Sequence, residues 1–316
     1  MKVYVKTPAR LHLGLIDLNG DLGRMFGGLG VGINRPNVVL EAEKSRDLAV
    51  TGEKTEQVTN LAKRFLETYS IKSNVAINVK QVIPEHAGLG SGTQLALAVA
   101  TALGKLFDVK ASVQELAEVM GRGRRTSVGT TIFEQGGFVV DGGKTTSDKR
   151  FPVTIFRRPF PQDWCFVVAV ADIDKGLAKS EETAAFKALT PMKAEEAGKI
   201  CRLTMMKLLP ALVERDIEGF GEALTQLQIL IGNYFAEVQG GTYSSQVAAE
   251  GIALLQKLGA YGAGQSSWGP AVYGVTQKEN AKQIEIKVKA FLKKSVGGQV
   301  FTAKANNKGA YIKITK

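Results

Sequence analysis

The stretch Pro84-Glu85-His86-Ala87-Gly88-Leu89-Gly90-Ser91-Gly92-Thr93 lies between two patterned segments. Before it Val75, Ile77 and Val79 alternate with polar residues, and after it Leu95, Ala98, Val99, Ala102, Leu103 and Leu106 fall at helical spacing. A strand, a glycine loop and a helix start together present unpaired N–H groups and the positive end of a helix dipole, and these bind an anion. Gly88, Gly90 and Gly92 let the backbone approach phosphate oxygens, and Ser91 and Thr93 add hydroxyl donors. An ordinary capped turn needs one glycine rather than three, so phosphate recognition is the preferred reading. The loop is not of the Walker type, because no Gly-Lys-Ser/Thr follows four spacer residues.

Three further clusters carry polar chemistry. Arg10 and His12 share one face of an N-terminal strand with Gly14 beyond them. Asp17, Asn19 and Asp21 follow, then a glycine-rich run from Gly23 to Gly32 that contains Arg24. Gly121 to Thr130 holds Arg122, Arg124 and Arg125 after a helix. Gly262 to Pro270 places Gln265, Ser266, Ser267 and Trp268 in a loop that enters a strand. Arginine forks suit carboxylate or phosphate, although cations at a helix C-terminus also answer its dipole. His12 and His86 are the only histidines, and both fall inside these motifs.

These residues need a scaffold of mixed strands and helices. Val3 to Ile16 and Val38 to Val50 read as strands, and Ser112 with Glu115 forms a capping box for a helix carrying Val113, Leu116 and Met120. Gly136 to Gly143 reads as a strand between turns, and the polar stretch Lys144 to Arg150 marks a domain boundary, giving units of 1–150 and 151–316. Beyond it come a buried strand, Trp164 to Ala171, and helical patterns near 193–213, 216–232 and 244–258. Then follow strand Ala271 to Thr276, helix Lys278 to Lys294, and strands Val300 to Ala303 and Ala310 to Thr315, read as a pair.

Composition narrows the class. A chain of 316 residues with 44% apolar content can bury a large core, and its formal charge of +11 fits anionic ligands. Basic residues are scattered without interleaved aromatic platforms, which argues against a nucleic-acid partner. Cys165 and Cys201 show no metal-type spacing, so two buried thiols in a reducing cytoplasm are expected. Neither a signal peptide nor a run long enough to cross a membrane is evident, so a soluble cytoplasmic enzyme is expected.

In this order the motifs resemble the GHMP kinase superfamily. Pro8 to Gly14 is similar to its first motif, Pro84 to Thr93 to its second and Gly262 to Val275 to its third. The resemblance implies an α+β, two-domain GHMP-kinase-like fold, with an N-terminal ribosomal-protein-like β/α domain, a C-terminal ferredoxin-like domain and a phosphate-bearing ligand between them. Where the kinases carry a second serine and a catalytic aspartate, this chain has Gly92 and Thr130. A threonine does not accept a hydroxyl proton at neutral pH.

Thr7 to His12 with Ile16 to Gly20, Gly27 to Gly30, His86 to Gln94 and Phe133 to Phe138 instead resemble the beta-ribofuranosylaminobenzene 5'-phosphate synthase branch, known from methanopterin biosynthesis in archaea. That likeness implies condensation of phosphoribosyl pyrophosphate with 4-aminobenzoate, release of carbon dioxide and pyrophosphate, Mg²⁺ and a homodimer. In that reaction Asp17, Glu134, Arg10 and His12 are the candidate catalytic residues, and Asp17 and Glu134 the candidate metal ligands. Arg24, Gly88, Gly90, Ser91, Gly92, Thr93, Arg122, Arg125, Gln265 and Ser266 are the candidate substrate-binding residues. The alternative is an ATP-dependent kinase with Asp17 or Asp141 as base. The site reading requires Arg10, Asp17, Ser91 and Glu134 to converge on one cleft.

Overall fold

The computed structural model describes residues 1–147, 150–173 and 189–315. In chain order the first part contains β1 (Lys2–Lys6), β2 (Ala9–Asp17), β3 (Arg24–Ile33), β4 (Val39–Ser45), β5 (Ala49–Gly52), α1 (Thr55–Thr68) and β6 (Asn74–Gln81). It continues with α2 (Ser91–Leu106), α3 (Val113–Val119), α4 (Val128–Gln135), β7 (Phe138–Asp141), β8 (Lys144–Thr145) and β9 (Thr154–Arg158). After β10 (Trp164–Ala171) come α5 (Ala194–Leu203), a π-helical turn at Thr204–Leu208, α6 (Leu209–Glu214), α7 (Ile217–Tyr234), α8 (Ala236–Gln239) and α9 (Gln246–Lys257). Then follow β11 (Gly262–Gln265), β12 (Ala271–Gln277), α10 (Lys278–Ser295), β13 (Gly298–Lys304) and β14 (Tyr311–Thr315).

Three sheets organise these elements. One runs β14-β1-β4-β6-β5, a second β2-β3-β7-β9 with β8 on β3, and the third β11-β12-β10-β13. The third sheet, with α9 crossing from β10 to β11 and α10 from β12 to β13, has the strand order of a ferredoxin-like unit, so the α+β expectation holds. Helix α2 packs on β1 and β4, and its residues from Gln94 to Gly104 are buried. Its small and branched side chains let it sit deep while its N-terminus opens at the surface of the sheet. The capping box at α3 is present: Ser112 Oγ accepts the Glu115 N–H at 3.2 Å, and the Glu115 carboxylate accepts the Ser112 N–H at 2.7 Å.

Four expectations change. Val3 to Ile16 is two strands in different sheets, because the chain breaks at Thr7-Pro8. The strands near 300 and 312 do not pair with each other: β13 pairs with β10, and β14 crosses to β1 with Lys2 opposite Thr315. Lys144 to Arg150 does not separate the sheets, since β8 pairs with β3 and β9, beyond residue 150, pairs with β7. Asp148 and Lys149 of that stretch lie outside the described residues. Of the two thiols, Cys165 is buried but Cys201 is only half-buried. Among the described residues no helix is long and apolar enough to cross a membrane.

Candidate active site

The loop before α2 is held from both sides. The Gly88 carbonyl accepts two hydrogen bonds, from Arg10 Nη1 at 2.6 Å and from Ser266 Oγ at 2.7 Å. Arg10 also donates its N–H to the Leu89 carbonyl at 3.1 Å, and the His12 N–H donates to Ser266 Oγ at 2.9 Å. The three motifs, with His12 and Ser266 254 residues apart in the chain, thus meet around one carbonyl. Gly88 stands at φ +80°, and a Cβ there would lie 2.0 Å from the Ser266 carbonyl oxygen. The Arg10 side chain crosses Gly90, where a Cβ would lie 2.9 Å from its Cγ. These glycines serve the close approach of protein to protein as much as that of a ligand.

A cleft of about 740 Å³ opens beside this junction. One wall is cationic and hydroxyl-rich, formed by Ser91, Gly92 and Thr93 at the start of α2 and by Gly121 to Thr126 with their arginines. The other is aromatic and amide-rich: Phe26, Phe235, Tyr243 and Trp268 with Gln228, Gln239 and Gln265. Phe235 and Trp268 meet edge to face at 5.0 Å. Gln228 ties this wall to the first motif, donating to the Leu13 carbonyl at 2.7 Å and accepting the Gln265 N–H at 2.8 Å. The space beyond Arg10 and His12 that Gly14 leaves open is filled by Ile231, whose Cδ1 would lie 2.3 Å from a Cβ at Gly14.

Arg10, His12, Gly88, Gly90, Ser91, Gly92, Thr93, Arg122, Arg125 and Gln265 line the cleft. Ser266 is fully buried behind it and positions the loop. Arg24, Asp17 and Glu134 are not among its lining residues. Arg24 spends its guanidinium on the carbonyls of Gly142 and Gly143, at 2.8 and 2.9 Å. Asp17 closes a turn, with Oδ1 accepting the N–H groups of Asn19 and Gly20 at 2.8 and 3.0 Å. Glu134 lies on the exposed side of α4. The convergence required of four residues therefore holds for Arg10 and Ser91 and fails for the two carboxylates. Reasoning from sequence missed Phe26, Phe235 and Gln228. Gln228, Ile231 and Phe235 carried a signal in their helical spacing, which is indistinguishable from that of an ordinary core stripe.

Electrostatics sharpen the contrast between candidates. His12 is pushed down to about 3, by burial first and then by the Arg10 charge, so its imidazole is neutral at physiological pH. Asp141 is fully buried and outside the cleft lining. Its carboxylate accepts the N–H groups of Ser127 and Gly143, both at 2.9 Å, and thereby fastens the start of α4 to the turn after β7. Burial nevertheless pushes its carboxyl up to about 6 from an ordinary 3.8. A folded value above the unfolded one adds stability that is complete below the unfolded value and is lost as pH rises through the folded one. From pH 4 to 7 the wild-type chain should lose about 2 kcal/mol more than Asp141→Asn does. Urea melts at each pH measure this, and equal slopes would remove Asp141 as the source.

The family profile described as GHMP kinases N terminal domain matches residues 56–137, and that described as GHMP kinases C terminal matches 208–294. The crystal structure of homoserine kinase from Cytophaga hutchinsonii superposes with a TM-score of 0.71 at 17% identity, covering 98% of this chain and 97% of that one. The fold is that of the GHMP kinase class. At higher identity stand proteins called beta-ribofuranosylphenol 5'-phosphate synthase. The one from Methanothermobacter thermautotrophicus is 32% identical over 99% of both chains, and the one from Archaeoglobus fulgidus 35% identical over 98% of this chain and 99% of its own. The chain belongs to this synthase family, the one its motifs resemble, with a phenol where the expected name has an aminobenzene.

Proposed function

We propose that the chain condenses phosphoribosyl pyrophosphate with a 4-substituted benzoate, releasing pyrophosphate and carbon dioxide, a step suited to methanopterin synthesis. The observation that carries this reading is the pairing of walls in one cleft: arginines and a helix start for a polyanion, aromatic rings and amides for a planar acceptor. The names of the relatives favour 4-hydroxybenzoate as acceptor, while the sequence reading favours 4-aminobenzoate. The two differ only at the para position, so both belong in the test.

In the proposed step the bond from the anomeric carbon to the pyrophosphate oxygen breaks, and its electron pair leaves with pyrophosphate. The ring carbon that bears the carboxylate forms the new bond to the anomeric carbon. Carbon dioxide then departs, leaving its bonding pair to restore the aromatic ring, so no proton has to be removed. This fits a cleft whose His12 is uncharged, in a chain that carries Thr130, not an acid, at the position matching the kinase base. The cationic wall stabilises the leaving group, and the aromatic wall excludes water from the anomeric cation.

The residues do not build a resident Mg²⁺ site. Among the described residues no group of three metal-binding side chains occurs, and Glu85, the one carboxylate in the lining, is paired with Lys54 at 2.5 Å. In this reading Mg²⁺ enters as part of the metal–diphosphate substrate, held by phosphate oxygens and water. The kinase alternative is disfavoured because both of its candidate bases, Asp17 and Asp141, are absent from the cleft lining.

The test supplies purified chain with phosphoribosyl pyrophosphate, Mg²⁺ and each carboxyl-labelled benzoate. Equal release of labelled carbon dioxide and pyrophosphate is expected with at least one acceptor, and no release with either would falsify the proposal. Trp268→Ala should raise the KM for the benzoate about 10-fold, the scale of losing an aromatic contact face, with the KM for phosphoribosyl pyrophosphate within about twofold. Equal rises in both would place Trp268 in general loop support.

A further inference from the structure

A second concave surface lies on the first sheet, on the face away from α2. Val3 and Val5 are fully buried, so Lys2, Tyr4 and Lys6 of β1 point to the opposite side. Residues directly across a strand pair share a face, and β14 therefore adds Thr315 beside Lys2, Lys313 beside Tyr4 and Tyr311 beside Lys6. The result is a chequerboard. Each tyrosine has a lysine across from it and another two residues along its own strand. Neighbours stand about 5 Å apart across the strands and about 7 Å apart along them. Lysines that look scattered in the sequence are thus interleaved with aromatic rings in space, through the pairing of β1 with β14.

These residues line a hollow of about 800 Å³, closed on its other side by Asn34, Asn37 and the turn from Asn306 to Ala310. It shares no lining residue with the active-site cleft. The rings of Tyr4 and Tyr311 meet edge to face, 6.2 Å apart at 66°, and Tyr311 keeps 59% of its surface open. Lys2 is paired with Glu41 and Glu43, at 3.9 and 3.8 Å. The other lysines of the hollow, Lys6, Lys308 and Lys313, form no ion pair among the described residues. Glu41, the one carboxylate in the lining, is already held by Lys2 and Lys80. An uncompensated positive charge therefore stands beside open aromatic rings.

This chemistry selects a ligand that carries both anionic groups and flat faces. An acidic peptide would engage the lysines and leave the rings idle, and a duplex would offer phosphates while its base faces stay stacked inside. A single strand offers both, because its unstacked bases lie on aromatic rings while lysines follow its phosphates. We infer that this face of the first sheet binds single-stranded nucleic acid, with bases on Tyr311 and Tyr4 and phosphates at Lys6, Lys308 and Lys313. Asn37 and Asn306 spend their amide N–H groups on carbonyls of Thr7, Asn34 and Gly309, so recognition rests on charge and stacking rather than on base edges. The inference is independent of the reaction proposed for the cleft.

Fluorescence anisotropy on the intact chain, with a labelled RNA strand of about 12 nucleotides, tests this. The strand should bind at least about 10-fold more tightly than the duplex it forms with its complement, and than a polyglutamate of equal charge. Log Kd should rise with log salt with a slope of about 2, three lysines at about 0.7 each, and Lys6→Gln should lower that slope by about 0.7. Tyr311→Thr, which keeps a strand-forming residue at an exposed position, should weaken the strand about 10-fold, while Tyr311→Phe stays within about twofold. Arg124→Gln in the active-site cleft should also stay within about twofold. Duplex or polyglutamate binding as tightly as the strand overturns the inference, as does indifference to Tyr311→Thr. A strand lost in Arg124→Gln lies in the cleft and not on the sheet. Sedimentation without nucleic acid should give the same oligomeric state for wild type and Tyr311→Thr; dissociation of the variant alone would show that a second copy covers this face and would overturn the site.

Discussion

Gly88→Ala should reduce turnover at least about 100-fold and lower folding stability by about 2–5 kcal/mol, the sum of a left-handed alanine and a clash between main chains. At φ +80° the added methyl would stand 2.0 Å from the Ser266 carbonyl oxygen, and neither atom is at the end of a flexible side chain. Relief requires moving the loop from Pro84 to Gly92 or the loop holding Ser266. Either movement pulls the Gly88 carbonyl away from Arg10 and Ser266, which fix it at 2.6 and 2.7 Å. The control is Gly240→Ala, at φ +81° with nothing within 4 Å of its Cβ position. There only the conformational cost applies, about 1 kcal/mol, and the catalytic rate should be unchanged. Steady-state rates and urea melts of both variants check this, and a Gly88→Ala enzyme with wild-type turnover would show that the three-motif junction is incidental.

The second large effect runs against helix propensity. Gly221 lies inside α7, where alanine ordinarily stabilises by about 1 kcal/mol. Its Cβ position is 2.2 Å from the Tyr261 carbonyl oxygen and 2.7 Å from the Gly262 nitrogen, and a Cβ on Gly262 would lie 2.4 Å from the Gly221 oxygen. The helix and β11 therefore cross main chain to main chain. Gly221→Ala is expected to cost about 2–4 kcal/mol, because overpacking at a rigid contact outweighs the propensity gain. It should also disturb the aromatic wall, since α7 delivers Gln228 and Ile231 to the cleft and leads into Phe235. Gly198→Ala on α5, with nothing within 4 Å, should instead stabilise by about 1 kcal/mol. If chemical denaturation ranks the two variants alike, the close crossing is not what requires glycine at position 221.

Local chemistry was the legible part of this protein. The glycine spacing around Gly88 and the apolar period of α2 predict a loop feeding a helix, and the strand read at Trp164 to Ala171 coincides with β10. What the sequence did not disclose was direction through space. Asp17 sits near Arg10 in the chain, yet a register shift between His12 and Gly14 intervenes, and a nearby turn claims its carboxylate. Arg24 stands in a glycine-rich run that resembles a binding loop, and only the fold reveals that two carbonyls already occupy it. The aromatic wall was hidden for a related reason. Phe26 takes φ +77°, a conformation no residue type announces, and Ile231 and Phe235 have the spacing of core residues. Likewise, alternation identifies β14 as a strand but cannot choose between β13 nearby and β1 at the far end of the chain.

That distant partnership bears on how the chain is made. Until Tyr311 to Thr315 have been synthesised, β1 offers an open edge opposite β4, with the N–H and C=O groups of Lys2 to Lys6 available to any passing strand. The first sheet is therefore finished only once Thr315 has been made, although α2 and its glycine loop are complete far earlier. The anion-binding end of the cleft rests on a sheet whose edge strand is made long after the glycine loop, so the wait between the two is the protein's exposure to chaperones and to its own nascent copies.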